Sequence, residues 1–204
     1  MLTSMGDIMR EAHKRGWITI RDGNISVRRQ NKFYVTPSGG RKTIIHPEHI
    51  LKAYIKNDKL EWRDTGTLAK PSGELEMHLL LQTTDDFKGC RSVVHLHPTY
   101  TIAAMHRGFD LQELAAQFPE VSRYTRVGPN VPVLPVTSKV LADATFKMMT
   151  ELKEDCVSCL EFDIVGQAGH GVTAIGTSPW DAFEHIERLE HICQIVLASG
   201  VSPK

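Results

Sequence analysis

Apolar and polar positions along the chain change period several times, and the changes mark out the elements. Residues 3–15, "TSMGDIMREAHKR", carry apolar residues at helical spacing, with Gly16 as the stop. Two short alternating runs follow, "GNISVRR" and "KFYVTPS", which predict strands joined by a polar turn at Gln30 and Asn31. "HPEHI" predicts one helical turn, and "LKAYIK", "NDK" and "LEWRD" predict strand, turn and strand. Residues 72–84 return to helical spacing, with Ser72 near the N-cap. The run 91–96 predicts a strand, Pro98 opens a helix through "PTYTIAAMHRG", and 110–118 add a short helical piece.

The second half continues in the same manner. "VPVLPV" predicts a strand whose prolines mark an edge or a strand end. Ser138 caps a helix to about Lys153, and "CLEFDIV" and "GVTAIG" predict strands. Ser178-Pro179 opens the last helix, where Trp180, Phe183, Ile186, Leu189, Ile192 and Val196 form an apolar stripe that ends at Gly200. Strand pairs that look like hairpins alternate with helices. The expected architecture is a layered α/β domain over residues 1–204, with a mixed or largely antiparallel sheet covered by helices. No G-x-G-x-x-G follows a strand, so a dinucleotide fold is not expected.

Composition narrows the function. Lys plus Arg and Asp plus Glu are 24 each, so nothing draws the chain to nucleic acid. No apolar run reaches membrane-spanning length and no signal-peptide core opens the chain, so the expected location is the cytoplasm, away from the membrane. Cys90, Cys156, Cys159 and Cys193 do not form a disulfide framework, and Cys156-Val-Ser-Cys159 is a lone C-x-x-C.

Chemistry concentrates around "SVVHLHPTY". On a strand, residues i and i+2 share a face, so His95 and His97 stand side by side. That suits a metal ion, and a solvated strand end would look the same. A catalytic zinc takes three protein ligands; the third candidate is His170, in the glycine-flanked "GQAGHGVTAIG". His13, His46, His49, His106, His185 and His191 carry no such signal. Glu74, in the first turn of the 72–84 helix, is a candidate acid/base, although first-turn carboxylates also offset the helix dipole and Glu76 could do the same. His78 follows Glu74 by four residues, on the same helix face, where it could support the site from behind; an ordinary core or surface histidine would look the same. "DGNIS" and "TPSGG" offer Gly23, Asn24, Ser38, Gly39 and Gly40, with Arg41 and Lys42 following, and the helix start offers Ser72 and Gly73. Such small residues suit a phosphate and also suit ordinary turns.

"GNISVR", "VTPSG", "KPSGE…MH", "VVHLHP", "GHG" and "LEHICQIVLASG" occur in one order over roughly residues 5–200. Taken together they resemble the class II aldolase/adducin family, nearest in theme to the fuculose-phosphate aldolase type. The resemblance implies a three-layer α/β/α domain around a mostly antiparallel sheet. It implies a divalent metal on His95, His97 and His170, usually zinc, with Mn2+, Co2+ or Fe2+ as alternatives. It implies Glu74 as acid/base, and a substrate phosphate among Asn24, Ser38, Gly39, Ser72 and Gly73. The implied reaction is aldol cleavage or formation of a small sugar phosphate through an enediolate, in a homotetramer with sites at subunit boundaries. Two departures stand out. Family aldolases often have two hydroxyl residues before the Glu, and here the second is Gly73. Aldolases of this type also use a tyrosine from a neighbouring subunit, and Tyr124 is the nearest candidate. The same scaffold hosts sugar-phosphate 4-epimerases, methylthioribulose-phosphate dehydratases and oxo-acid phosphate decarboxylases; the epimerases resemble a pattern with Asp at the position of Glu74. The adducin branch is a cytoskeletal binding module that does not keep the metal ligands, whereas this chain has them.

Overall fold

Helix α1 (Leu2–Lys14) turns Met5, Ile8, Met9 and Ala12 inward, as its apolar spacing requires. The structure, a computed structural model, describes residues 1–57, 59–63, 68–83, 90–153 and 156–203. Asp58, Asp64 and Thr84, each at the edge of an expected element, lie outside these residues, as do the side chains of Cys90, Cys156 and Cys159.

Strands β1 (Asn24–Arg29), β2 (Lys32–Val35), β3 (Leu51–Lys56) and β4 (Lys59–Trp62) follow, with 3-10 turns at Lys42–Ile44 and Pro47–His49 between β2 and β3. Then come α2 (Leu75–Thr83), β5 (Cys90–Leu96), α3 (Thr99–His106), α4 (Leu111–Ala116), α5 (Pro119–Tyr124) and α6 (Lys139–Met149). The chain continues through β6 (Thr150–Lys153), β7 (Cys156–Leu160), β8 (Ile164–Gln167) and β9 (Gly171–Gly176) to α7 (Pro179–Ala198). Seven strands form one sheet in the order β4-β3-β2-β1-β5-β9-β8, and every strand pairing described in it is antiparallel. β6 and β7 form a separate hairpin.

Alternation along the central strands builds two cores. Ile25, Val27, Val94, Leu96, Val172 and Ala174 pack with residues of α1, α3, α4 and α7. Val93, Val165 and Ile175 pack with Met77 and Leu81 of α2 and Leu141, Ala142 and Met149 of α6. The sheet therefore lies between two helical layers, and the expected three-layer α/β/α arrangement is the one observed. Among the described residues no helix is long and apolar enough to cross a membrane.

Four local expectations are corrected. Residues 131–136 do not form a strand: Val131 alone makes an isolated parallel bridge, to Gln167, and Val133 and Val136 are exposed. Pro132 and Pro135 have no N–H to give a ladder, so the apolar run continues as irregular chain. The helix expected to reach Lys153 stops at Met149, because Thr150–Lys153 pairs with β7 instead. "CLEFDIV" is two strands, broken where Asp163 turns its carboxylate to the Arg126 backbone N–H at 2.8 Å. Trp180 is not part of the buried stripe; it sits in the first turn of α7, 39% exposed, edge-on to Phe183 at 5.5 Å. α5 is a further helix, not among the expected elements, with Pro119 at its N-terminus as its one sequence signal.

Candidate metal centre and active site

His95 lies near the end of β5, opposite Asn24 on β1 and Thr173 on β9. Residues opposed in an antiparallel register share a face, so the three form one row beneath α2. His97 follows just past the strand, held by its backbone N–H donating to Trp17 O at 3.0 Å. The two rings meet edge to face, with Nε2 atoms 2.9 Å apart.

His170 arrives from the β8–β9 hairpin. Gln167 pairs with Gly171, and Gly169 adopts the left-handed φ of 70° that closes the three-residue loop. A Cβ on Gly171 would run into the Leu96 carbonyl oxygen and come within 2.8 Å of His97 Cδ2. The glycine is what lets the hairpin close on the histidine pair. The His170 ring centroid lies 4.7 Å from that of His95 and 5.0 Å from that of His97.

One ligand atom from each of His95, His97 and His170 lies within 4.8 Å of the others, a group that could hold a metal ion. The donor set fits one. Burial, then the neighbouring His97 and His170, hold His95 well below the usual imidazole range, and burial followed by His170 lowers His97. Both favour the neutral imidazole that donates a lone pair. Thr173 Oγ1 lies 3.3 Å from His95 Nδ1, which leaves Nε2 to the cluster. His170 Nδ1 and Glu74 Oε1 are buried with no hydrogen-bond partner among the described residues. Orphaned polar atoms of this kind are what a group from outside the chain would satisfy.

Glu74 enters from the start of α2. Its N–H donates to Ser72 Oγ at 3.2 Å, and its carboxylate turns inward. Oε2 accepts from Asn24 Nδ2 at 2.7 Å and stands 3.4 Å from His95 Nε2, while Oε1 is 3.8 Å from His170 Nε2. The carboxylate therefore faces the histidines instead of serving only the helix dipole.

Ser38 and Gly39 come from the loop after β2, and Ser72 and Gly73 from the turn before α2. An isolated antiparallel bridge between Pro37 and Pro71, with Ser38 N–H donating to Lys70 O at 2.8 Å, ties the two segments together. A cavity of about 340 Å³ is lined by Asn24, Ser38, Gly39, Ser72, Gly73, Glu74, His95, His97 and His170, so the structure brings these nine sequence candidates to one place. Tyr124 is not among the lining residues. It is half exposed at the end of α5, with the guanidinium groups of Arg123 and Arg188 5.3 and 5.7 Å from its ring centroid.

Several neighbours of the site carry little or no signal in the sequence. Lys42 lines the cavity at 2% exposure, its ammonium donating to Pro37 O at 2.8 Å. Burial pushes its pKa down to about 8, against the opposing pull of Asp22. Thr137, a β-branched residue at φ 56°, puts its Cγ2 3.0 Å from where a Cβ on Gly73 would be, so a side chain at Gly73 would have to displace it. His78 is fully buried and reaches Asn24 and Ser26. Only its spacing from Glu74 hinted at this.

Comparison with known proteins agrees with the fold. A family model described as the class II aldolase and adducin N-terminal domain matches residues 3–197. The chain is 26% identical to the L-fuculose phosphate aldolase of Methanococcus maripaludis strain C5, over 90% of this chain and 88% of the relative. It is 28% identical to the 3-oxo-tetronate 4-phosphate decarboxylase of Escherichia coli K12, over 93% of this chain and 82% of the relative. Its fold superposes on the crystal structure of a sugar-phosphate aldolase from Thermotoga maritima with a TM-score of 0.75, at 20% identity, covering 99% of this chain and 97% of that one. With nearly its whole length matched, the chain belongs to the class II aldolase and adducin family.

Proposed function

We propose that the protein is a metal-dependent aldolase that cleaves or forms a carbon–carbon bond of a small sugar phosphate. One observation carries this: the Glu74 carboxylate stands 3.4 Å from His95 Nε2 and 3.8 Å from His170 Nε2, in the cavity that also holds Ser38, Gly39, Ser72 and Gly73. The family is typically metal-dependent, and a divalent cation on His95, His97 and His170, with zinc as the first choice, would supply Lewis acidity to the substrate's carbonyl and hydroxyl oxygens. The hydroxyls of Ser38 and Ser72, with the glycines beside them, hold the phosphate and so fix the distance to the reacting carbon. Asn24 holds Oε2 of Glu74, and the unpartnered Oε1 removes and returns the proton at that carbon. The proposal includes a single domain over residues 1–204, a cytoplasmic homotetramer, and Tyr124 of a neighbouring copy as donor to the aldehyde fragment.

The test is exchange of a carbon-bound proton of dihydroxyacetone phosphate with deuterated water, followed by NMR. Exchange should require the metal and collapse in Glu74→Gln, because the amide cannot take up the proton. No exchange at full metal loading would remove the aldolase.

A second proposal is decarboxylation of an oxo-acid phosphate. Among the described residues no tyrosine lines the cavity, and carbon dioxide leaves without needing a proton. Release of carbon dioxide from 3-oxo-tetronate 4-phosphate, without aldol cleavage of fuculose phosphate, would select it.

A further inference from the structure

A buried polar row connects Glu74 to the far end of α2. Asn24 and Ser26 sit two apart on β1, and Glu74, His78 and Gln82 sit four apart along the helical segment, so strand period and helix period face each other. Asn24 Nδ2 lies 2.7 Å from Glu74 Oε2, and Asn24 Oδ1 meets His78 Nε2. His78 Nδ1 lies 2.8 Å from Ser26 Oγ, which lies 3.0 Å from Gln82 Nε2. All five residues are buried, with Ser26, His78 and Gln82 wholly so.

The direction of each bond follows from the first. The Asn24 amide nitrogen donates to Glu74 Oε2, which leaves the amide oxygen to face His78. That oxygen only accepts, so the His78 proton sits on Nε2. A neutral ring then offers a lone pair at Nδ1, and the Ser26 hydroxyl must donate to it. Ser26 Oγ in turn accepts from Gln82. Burial lowers the His78 pKa to about 4, with Glu74 opposing, which keeps the ring neutral near pH 7.

We infer that His78, Ser26 and Gln82 are positioning residues: through Asn24 they form a one-way hydrogen-bond chain that holds Oε2 of Glu74 and leaves Oε1 free for the substrate. Every donor points towards Glu74, so each bond polarises the next. With the proton on Nδ1 instead, His78 would set a lone pair against Asn24 Oδ1. The amide would flip, and its oxygen would then oppose the carboxylate. The tautomer of a histidine that touches neither metal nor substrate thereby sets the orientation of the proton carrier. The positioning role rests on the proposed part of Glu74 in proton transfer; the tautomer does not.

The experiment has two arms. In zinc-loaded protein labelled with ring-15N histidine, the His78 signals, identified by their loss in His78→Gln, should report a neutral ring protonated at Nε2 at pH 7. A ring protonated at Nδ1, or at both nitrogens, overturns the chain whatever the enzyme catalyses. In the second arm, Ser26→Ala and Gln82→Met should slow deuterium exchange at saturating substrate by roughly 10- to 100-fold, the range typical when an outer partner of a functional group is lost. Apparent substrate affinity and metal content should stay unchanged. Unchanged exchange in both variants, or loss that tracks metal content, overturns the positioning role. Absence of exchange in the parent protein overturns the aldolase proposal and that role with it, and the ring signals alone then judge the chain.

Discussion

Gly171 and His97 stand so close that a methyl group on the glycine would lie 2.8 Å from His97 Cδ2, inside any carbon–carbon contact distance. The β8–β9 hairpin can reach the histidine pair only because this residue has no side chain. Gly171→Ala should therefore push His170 away from His95 and His97. We expect a destabilisation of about 1–3 kcal/mol, as for other overpacked sites, and a loss of metal that exceeds the loss of fold. Metal per chain measured beside thermal unfolding checks this; full metal with a lowered Tm would show that the hairpin tolerates the methyl.

The metal itself gives a second prediction. Purified protein should carry one divalent ion per chain, and His95→Ala or His170→Ala should lose it. Because the ion binds only the folded arrangement, a chelator should lower Tm in the parent protein, by about 4 kcal/mol of stability if the metal is present at a thousand times its Kd. It should leave Tm unchanged in the histidine variants. Elemental analysis with paired melts decides, and an alanine variant that holds metal normally removes that histidine from the set.

Lys42 yields a pH dependence. Its pKa falls from 10.5 to about 8 on folding because burial disfavours the ammonium. Between those values the unfolded chain binds more protons than the folded one, so this group adds stability as pH rises through that window. The burial penalty is present in full below pH 8. The stability difference between the parent and Lys42→Met should therefore shift in the parent's favour by up to about 3 kcal/mol from pH 7 to 10.5. A flat difference in unfolding free energy across that range would contradict the lowered pKa. At pH 7 dihydroxyacetone phosphate should protect the parent more than the variant, since the ammonium beside Pro37 lies near the loops proposed to hold phosphate.

Most of the fold was legible because it is written in local periods. The alternation of β1 and β3 and the apolar faces of α1 and α7 each depend on a few neighbouring residues. The errors came where tertiary pairing overrode those periods. Thr150–Lys153 leaves the helical pattern to pair with β7, and Val131 finds Gln167 while the prolines that follow it cannot extend a ladder. His95, His97 and His170 were recognisable from a strand period and two glycines. The burial of Lys42 and His78 was not: the sequence marks Lys42 only as a cation after the "TPSGG" loop and His78 only by its spacing from Glu74, and each is buried by elements far away in sequence.

The row formed by Asn24, His95 and Thr173 ties chemistry to strand alignment. If β5 slipped by a single residue between β1 and β9, His95 and His97 would turn to the layer of α1 and α7, and Val94 and Leu96 would face the cavity. A one-residue slip cannot preserve the cluster, because side chains alternate strictly between the two faces. An ion captured by the three histidines would thus stabilise only the correctly aligned sheet. In a refolding chain, the cation would act as a proofreader of the central strands before it ever met a substrate.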